Sequence, residues 1–306
     1  MAQPASGLIL VDKPAGWTSH DVVARTRKIA GTRKVGHAGT LDPMATGMLV
    51  IGFNKATRLL TYIVDTTKIY RATIRLGHNT TTDDADGEII QTRYANAVTT
   101  NDITSAITGL IGTIQQVPSA VSAIKIDGKR AYQRVRDGET VDIPAREVTV
   151  HRFDVEDIRR ADDGKTIDID VEVECSAGTY IRALARDLGE ALSTGGYLTA
   201  LRRTAVGPYR IEDAVSIDEL ADNFVYTDLS TAMTRLFPTR IVSRSEAQDL
   251  IHGRRIAASE RNDLLAATLQ NGQAIALITD AERNDTIEAK PEIVFATLEH
   301  LTGAPS

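Results

Sequence analysis

The chain predicts a mixed α+β protein in two parts, a larger one over residues 7–237 and a smaller, β-rich one over 238–306. Three observations predict it. Runs that alternate apolar and polar residues recur along the first two thirds of the chain, as half-buried strands require. Amphipathic stretches with capping residues at their starts lie between them. From about residue 238 the texture changes to one short capped helix followed by strands, and 306 residues suffice for two domains.

"GLILVDKP" (7–14) reads as a short buried strand closed by Pro14. In "WTSHDVVARTRKIAG" (17–31), Thr18 and Asp21 have capping-box spacing, Val22, Val23 and Ile29 supply an apolar face, and Gly31 ends the helix. A glycine-rich segment, "GHAGTLDPMATG" (36–47), follows; "GMLVIGF" then reads as a strand and "KATRLLTYIV" as a helix. "KIYRATIRLG" (68–77) sets Tyr70, Ala72, Ile74 and Leu76 against Ile69, Arg71, Thr73 and Arg75, the period of a strand. "TTTDDADGE" is a polar turn, and "TNDITSAITGLIG" a helix with a Thr or Asn cap. "VPSAVSAIKIDGKRAYQRVRDGE" (117–139) combines a strand, an Asp-Gly turn and a basic helix. "TIDIDVEVEC" alternates strictly, turns at Ala177-Gly178, and leads into an amphipathic helix opened by Thr179. "LTALRRTAVGPYR" is a further strand, and "LFP" (236–238) is the expected linker to the second part.

No apolar run approaches the roughly 20 residues of a membrane helix. The N-terminus lacks the early positive charge of a signal peptide, so the simplest compartment is the cytoplasm. Cys175 is the only cysteine, which excludes an internal disulfide and a cysteine-based zinc site. The net charge of −6 argues against a nucleic-acid binder only on average, because polyanion binding depends on the local patch. Basic clusters stand at Arg25, Arg27, Lys28, Arg33 and Lys34, and at Lys125, Lys129, Arg130, Arg134 and Arg136. Arg202 with Arg203 and Arg254 with Arg255 add two pairs. Each cluster alone is as well explained by a solvated face.

Asp42 sits before Pro43 among Gly36, Gly39 and Gly47. Asp-Pro alone marks a turn, but these glycines permit close approach of backbone to a ligand. A single carboxylate so placed serves as nucleophile, general base or electrostatic partner. Arg182 follows the turn at Gly178; it is either a surface arginine or a guanidinium that holds a carboxylate ionised across a cleft. Tyr70 is either a sheet tyrosine or a ring that stacks on a base. His37 has no partner at metal-ligand spacing, and no nucleotide-binding glycine motif is present.

These segments together, with "GLILVDKPAGWTSHDVV" and "CSAGTYIRALARDLGEAL", resemble the TruB family of tRNA pseudouridine synthases over residues 7–210. The tail from about 238 resembles a PUA-like RNA-binding domain. The resemblance implies a mostly antiparallel catalytic sheet with flanking helices, and isomerisation of uridine 55 in the tRNA T loop with no metal or organic cofactor. It implies a monomer whose partner is tRNA, with no protein partner required and no membrane. Asp42 aligns with the catalytic aspartate, Arg182 with its ion-pair partner, and Tyr70 with the tyrosine that stacks on the target base. Tyr180 and Leu201 align with the lining of the uracil pocket, and His37 with a histidine that fills the gap in the opened T loop. Lys13 matches a lysine near the floor of the site and Asp84 an acidic residue beside the cleft. "TTTDDADGE" departs from the family by opening on threonine where aspartate is common. The basic residues Arg33, Lys34, Lys125, Lys129, Arg130, Arg202 and Arg203 are expected on the RNA face. Three other functions compete: a non-catalytic tRNA-binding module, a synthase for a different RNA, and a glycoside or nucleoside hydrolase. The last usually needs two carboxylates at the bond.

Overall fold

The structure, a computed structural model, describes residues 5–119, 125–126, 129–130 and 143–301. Strands β1 (Gly7–Lys13), β2 (Val35–His37), β3 (Thr46–Phe53) and β4 (Lys68–Leu76) open the chain, with helix α1 (Ser19–Ile29) between the first two and α2 (Leu60–Val64) before the last. A two-stranded ribbon, β5 (His78–Thr80) and β6 (Ile89–Thr92), precedes helix α3 (Thr100–Thr108) and strand β7 (Gly112–Gln116). The short β8 (Lys125–Ile126) and β9 (Lys129–Arg130) pair with each other. The basic helix expected after them lies outside the described residues.

Two long strands follow, β10 (Arg146–Arg160) and β11 (Ile167–Cys175), then helix α4 (Ile181–Ala191) and strand β12 (Gly196–Val206). The first part ends with β13 (Tyr209–Arg210), α5 (Ile217–Asp222), β14 (Thr227–Asp228) and α6 (Leu229–Leu236). Ten strands form one sheet with the central order β14-β1-β3-β12-β4-β11-β10-β7, and β2 and β13 pair at the side. Every pairing in it is antiparallel except β3 with β12.

That parallel seam positions the site. It sets Arg202 opposite Thr46 and Arg203 opposite Gly47, so the end of the glycine-rich segment lies on β12. Gly47 has φ +101°, and a Cβ there would stand 2.3 Å from the Arg203 carbonyl oxygen. No side chain fits where two backbones approach this closely. Strict alternation in β11 buries Ile167, Ile169, Val171, Val173 and Cys175 against α4, which contributes Ile181, Leu184, Ala185 and Leu188 to the same core.

Local chemistry explains the helix starts. Thr18 and Asp21 form the reciprocal capping box of α1, and Thr99 with Asp102 does the same for α3. Helix α4 begins one residue later than Thr179 suggests. Thr179 donates its hydroxyl to Ser176 O at 3.0 Å and so closes the turn, leaving Tyr180 as the cap residue.

A second sheet of β15 (Thr239–Ile241), β16 (Ile256–Ala257), β17 (Leu265–Thr268), β18 (Ala274–Arg283) and β19 (Thr286–Val294) runs in the order β15-β17-β18-β19-β16, with helix α7 (Arg244–Ile251) beside it. It has its own apolar cluster around Val242, Leu250, Ile275 and Ile278. The "LFP" segment is not a loose linker. Phe237 packs edge-to-face on Tyr62 with ring centroids 5.3 Å apart, and Pro238 O accepts a hydrogen bond from Ala266 N. Ala266, Leu277 and Phe295 share one core with Leu8, Met48 and Val206, because both sheets bury apolar faces at this junction.

Candidate active site

A cleft of about 320 Å³ opens where the glycine-rich loop, β4, the start of α4 and β12 converge. Asp42, Tyr70, Tyr180, Arg182 and Leu201 all line it. Asp42 reaches it from a loop pinned at nearly every residue. Ser19 Oγ accepts from Leu41 N at 2.9 Å, and Gly16 N donates to Pro43 O at 2.8 Å. Lys13, fully buried, donates its ammonium to Trp17 O at 2.7 Å, to Pro14 O at 3.0 Å and to Pro43 O at 3.4 Å. Lys13 therefore holds backbone on the far side of the loop. Burial pulls its pKa down to about 8, against the raising influence of the Asp42 charge.

Arg182 occupies the second position of α4 and is 4% exposed. Its Nε lies 3.1 Å from Asp42 Oδ2, while Nη1 lies 3.2 Å from Asp84 Oδ2 and donates to Thr82 O at 2.9 Å. Asp84 is itself buried and accepts from the Thr82 hydroxyl and Asp86 N. One guanidinium thus bridges a carboxylate that is locked and a carboxylate that faces the cleft. Loss of solvation raises the pKa of Asp42, opposed by Arg182 and reinforced by the Asp84 charge. The arginine does hold Asp42, but desolvation outweighs it, so the net shift is upward.

Tyr70 packs beside Arg203, and burial raises its phenol pKa. The Tyr180 ring lies under the Arg146 guanidinium, 4.6 Å from its centroid, and Arg146 also donates to Gly178 O. Gln116, fully buried, grips the Tyr180 backbone: it accepts from Tyr180 N at 2.8 Å and donates to Tyr180 O at 3.1 Å. His37 stands outside the cleft lining, half-buried, with its ring edge-to-face on His20 at 5.7 Å. Burial, then the His20 charge, lowers its pKa, so it is neutral at pH 7.

Two basic residues expected on the RNA face are engaged within the protein. Arg202 makes a forked pair with Asp12, at 2.9 and 2.7 Å. Arg203 is 1% exposed; it donates to Met48 O at 2.8 Å, Gly39 O at 3.1 Å and Thr40 O at 3.5 Å. It ties the loop that carries Asp42 to the central strand. Arg33 and Lys34 are exposed. Lys125, Lys129 and Arg130 lie on β8 and β9, where the backbone alone is described.

Arg146, Gln116 and Lys68 escaped the sequence analysis. Lys68 lies on the same face of β4 as Ala72, Ile74 and Leu76, so the alternation that buries them buries Lys68 as well. It is 5% exposed, its ammonium donates to Val64 O and Thr66 O, and burial lowers its pKa to about 8. Cys175 is buried and its thiol is pushed up to about 11, far from a reactive thiolate. Among the described residues no three His, Cys, Asp or Glu side chains converge as metal donors, and no helix is long and apolar enough to cross a membrane.

The cleft lining therefore holds one carboxylate among four cations, Lys68, Arg146, Arg182 and Arg203. The lining is thus cationic around a single carboxylate. Comparisons with known proteins define the class. The family profile described as "TruB family pseudouridylate synthase (N terminal domain)" matches residues 27–181. "tRNA pseudouridylate synthase B C-terminal domain" matches 182–238, and "tRNA Pseudouridine synthase II, C terminal" matches 237–296. The chain belongs to the TruB family of pseudouridylate synthases.

A protein of Arthrobacter sp. (strain FB24) named "tRNA pseudouridine synthase B" is 57% identical over 300 residues, covering 95% of this chain and 97% of that one. One of the same name from Thermobifida fusca (strain YX) is 53% identical over 294 residues, covering 95% and 99%. Among solved structures, "Crystal Structure of a Cbf5-Nop10-Gar1 Complex" aligns with a TM-score of 0.73 at 26% identity, covering 96% of this chain and 86% of that one. "Structure of H/ACA RNP bound to a substrate RNA containing 2'-deoxyuridine" aligns with 0.71 at 25%, covering 95% and 85%.

Proposed function

We propose that the chain converts uridine 55 in the T loop of tRNA to pseudouridine, with Asp42 as its essential carboxylate. The observation that carries this reading is the arginine bridge, in which Arg182, fixed by Asp84, holds Asp42 toward the cleft beside Tyr70. Family membership and the names of the full-length relatives support tRNA as substrate. The bond from N1 to the ribose C1′ breaks, the uracil turns in place, and C5 joins C1′ while its proton leaves and N1 gains one. Attack at C1′ and removal of the 2′ proton both need Asp42 ionised. Tyr70 stacks on the extruded base, offsetting the few kcal/mol that extrusion costs. Leu201 and Tyr180 wall the uracil, and His37, outside the cleft lining, fills the space the base leaves in the opened T loop. Residues 7–237 form the catalytic unit and 238–306 an RNA-binding unit. The enzyme works in the cytoplasm as a single chain.

The test is tritium release from C5-labelled uridine in a tRNA transcript, with mapping of the product. Release matching pseudouridine at position 55, and none from a transcript with cytidine there, is expected. Free uracil, or undiminished release from the cytidine transcript, refutes the reading.

The upward shift of Asp42 sets the pH response. An ionised carboxylate exists above its pKa and is lost as pH falls through it. The acid limb of the single-turnover rate therefore lies above the ordinary carboxylate value of about 3.9. Asp84→Asn removes the like charge and frees Arg182 for Asp42 alone, so the limb moves to lower pH. A limb that stays in place rejects the electrostatic coupling.

A further inference from the structure

We infer that the exposed face of α1 and the turn after it form a second contact surface for the phosphodiester backbone of RNA, behind the catalytic loop. The inference rests on the reading of the chain as a tRNA-modifying enzyme and extends it to a surface outside the cleft. Between residues 14 and 41 the only acid is Asp21, against Arg25, Arg27, Lys28, Arg33 and Lys34, in a chain of net charge −6. Asp21 is spent on the Thr18 cap, through Thr18 N at 2.9 Å. Arg25, Lys28, Arg33 and Lys34 are exposed, and among the described residues none of them pairs with a carboxylate.

Cations elsewhere behave differently. On the outer face of the sheet Arg71 and Arg152 share Glu172, Arg75 pairs with Asp168, and Arg159 with Asp170. That face neutralises itself; the α1 face leaves its charge to solvent. Four unpaired cations along a helix and its following turn, with no buried donor among them, suit a row of phosphates better than one bound anion.

Position gives the same partner. Arg25 and Lys28, one turn apart, line a groove of about 390 Å³ with Gly16, Trp17, Ala24 and Asp21, whose carboxylate is held by the Thr18 cap. Gly16 donates to Pro43 O and Trp17 O accepts from Lys13, so the groove begins directly behind the residue that follows Asp42. An acidic protein segment would satisfy the charge but not this continuity with an RNA site.

The test measures binding of a full tRNA transcript to the full-length chain across a potassium chloride series. Arg25→Gln with Lys28→Gln is compared with Arg71→Gln plus Arg159→Gln, which removes equal charge from the self-paired face. The α1 pair should weaken binding about tenfold at low salt and reduce the slope of log K against log salt by about 1.4 to 1.8, the share of two phosphate contacts. The control should keep the parent slope, and Arg25→Lys with Lys28→Arg should restore it. An unchanged slope in the α1 pair, or an equal fall in the control, overturns the inference. Failure of the parent to form pseudouridine, with these slopes intact, would instead reject the catalytic reading and leave the surface standing.

Discussion

Asp42→Asn is expected to lower single-turnover pseudouridine formation by about 10³-fold or more, the scale at which a carboxylate acts in the transition state. Tritium release from labelled tRNA measures it. Binding of tRNA should stay near the parent value, because the four cleft cations and Tyr70 remain. The fold should hold as well, since the partners of Arg182 in Asp84 and Thr82 O are untouched by the change. Stability should be equal or higher at neutral pH. A carboxyl whose pKa is raised by folding is disfavoured in its ionised form there, and asparagine removes that charge. Release at the parent rate would remove residue 42 from the chemistry. Loss of binding with loss of melting cooperativity would assign it to the fold instead.

Arg203→Met is expected to be nearly as damaging by a different route. The change leaves the Met48 carbonyl without its buried donor and the partly buried carbonyls of Gly39 and Thr40 without theirs. A buried unsatisfied group costs roughly 1–3 kcal/mol and partly buried ones less, so a loss of about 2–3 kcal/mol of stability is expected. The loop that carries Asp42 then moves relative to Tyr70, and displacement of a reacting group by about 1 Å can cost about 10²-fold in rate. Arg203→Lys keeps the charge but has one donor head for carbonyls on two sides of the loop, so it should rescue stability more than rate. Denaturant titration and single-turnover kinetics separate the two quantities. A methionine variant with parent rate would show that the loop keeps its place without the arginine.

The difference between Arg202 and Arg203 shows how much of this was legible. Adjacent arginines on a strand point to opposite faces. Leu201, Arg203 and Ala205 share one period and all are buried, so Arg203 belonged inside. The same period buries Lys68 with Ala72 and Ile74. A basic pair reads as a surface patch only when alternation is ignored. Gln116 left no such trace, because its partner is the backbone of Tyr180, 64 residues away. Arg146 ends beside Tyr180 because β10 meets the turn before α4, a meeting that no local pattern records.

The sequence by itself determined where strands and helices begin and which glycines admit close backbone approach, whereas Asp42, Tyr70 and Arg182 were singled out together only by the resemblance to a family. The first two properties depend on neighbours within a few positions: caps, periods and φ preferences. Tertiary structure alone decided that Asp84 stands behind Arg182, that Lys13 and Arg203 hold the loop from opposite sides, and that the Asp42 carboxyl is pushed up. Those outcomes depend on burial and on charges brought together from distant parts of the chain. Desolvation is a property of the packed volume, and no stretch of residues encodes it on its own.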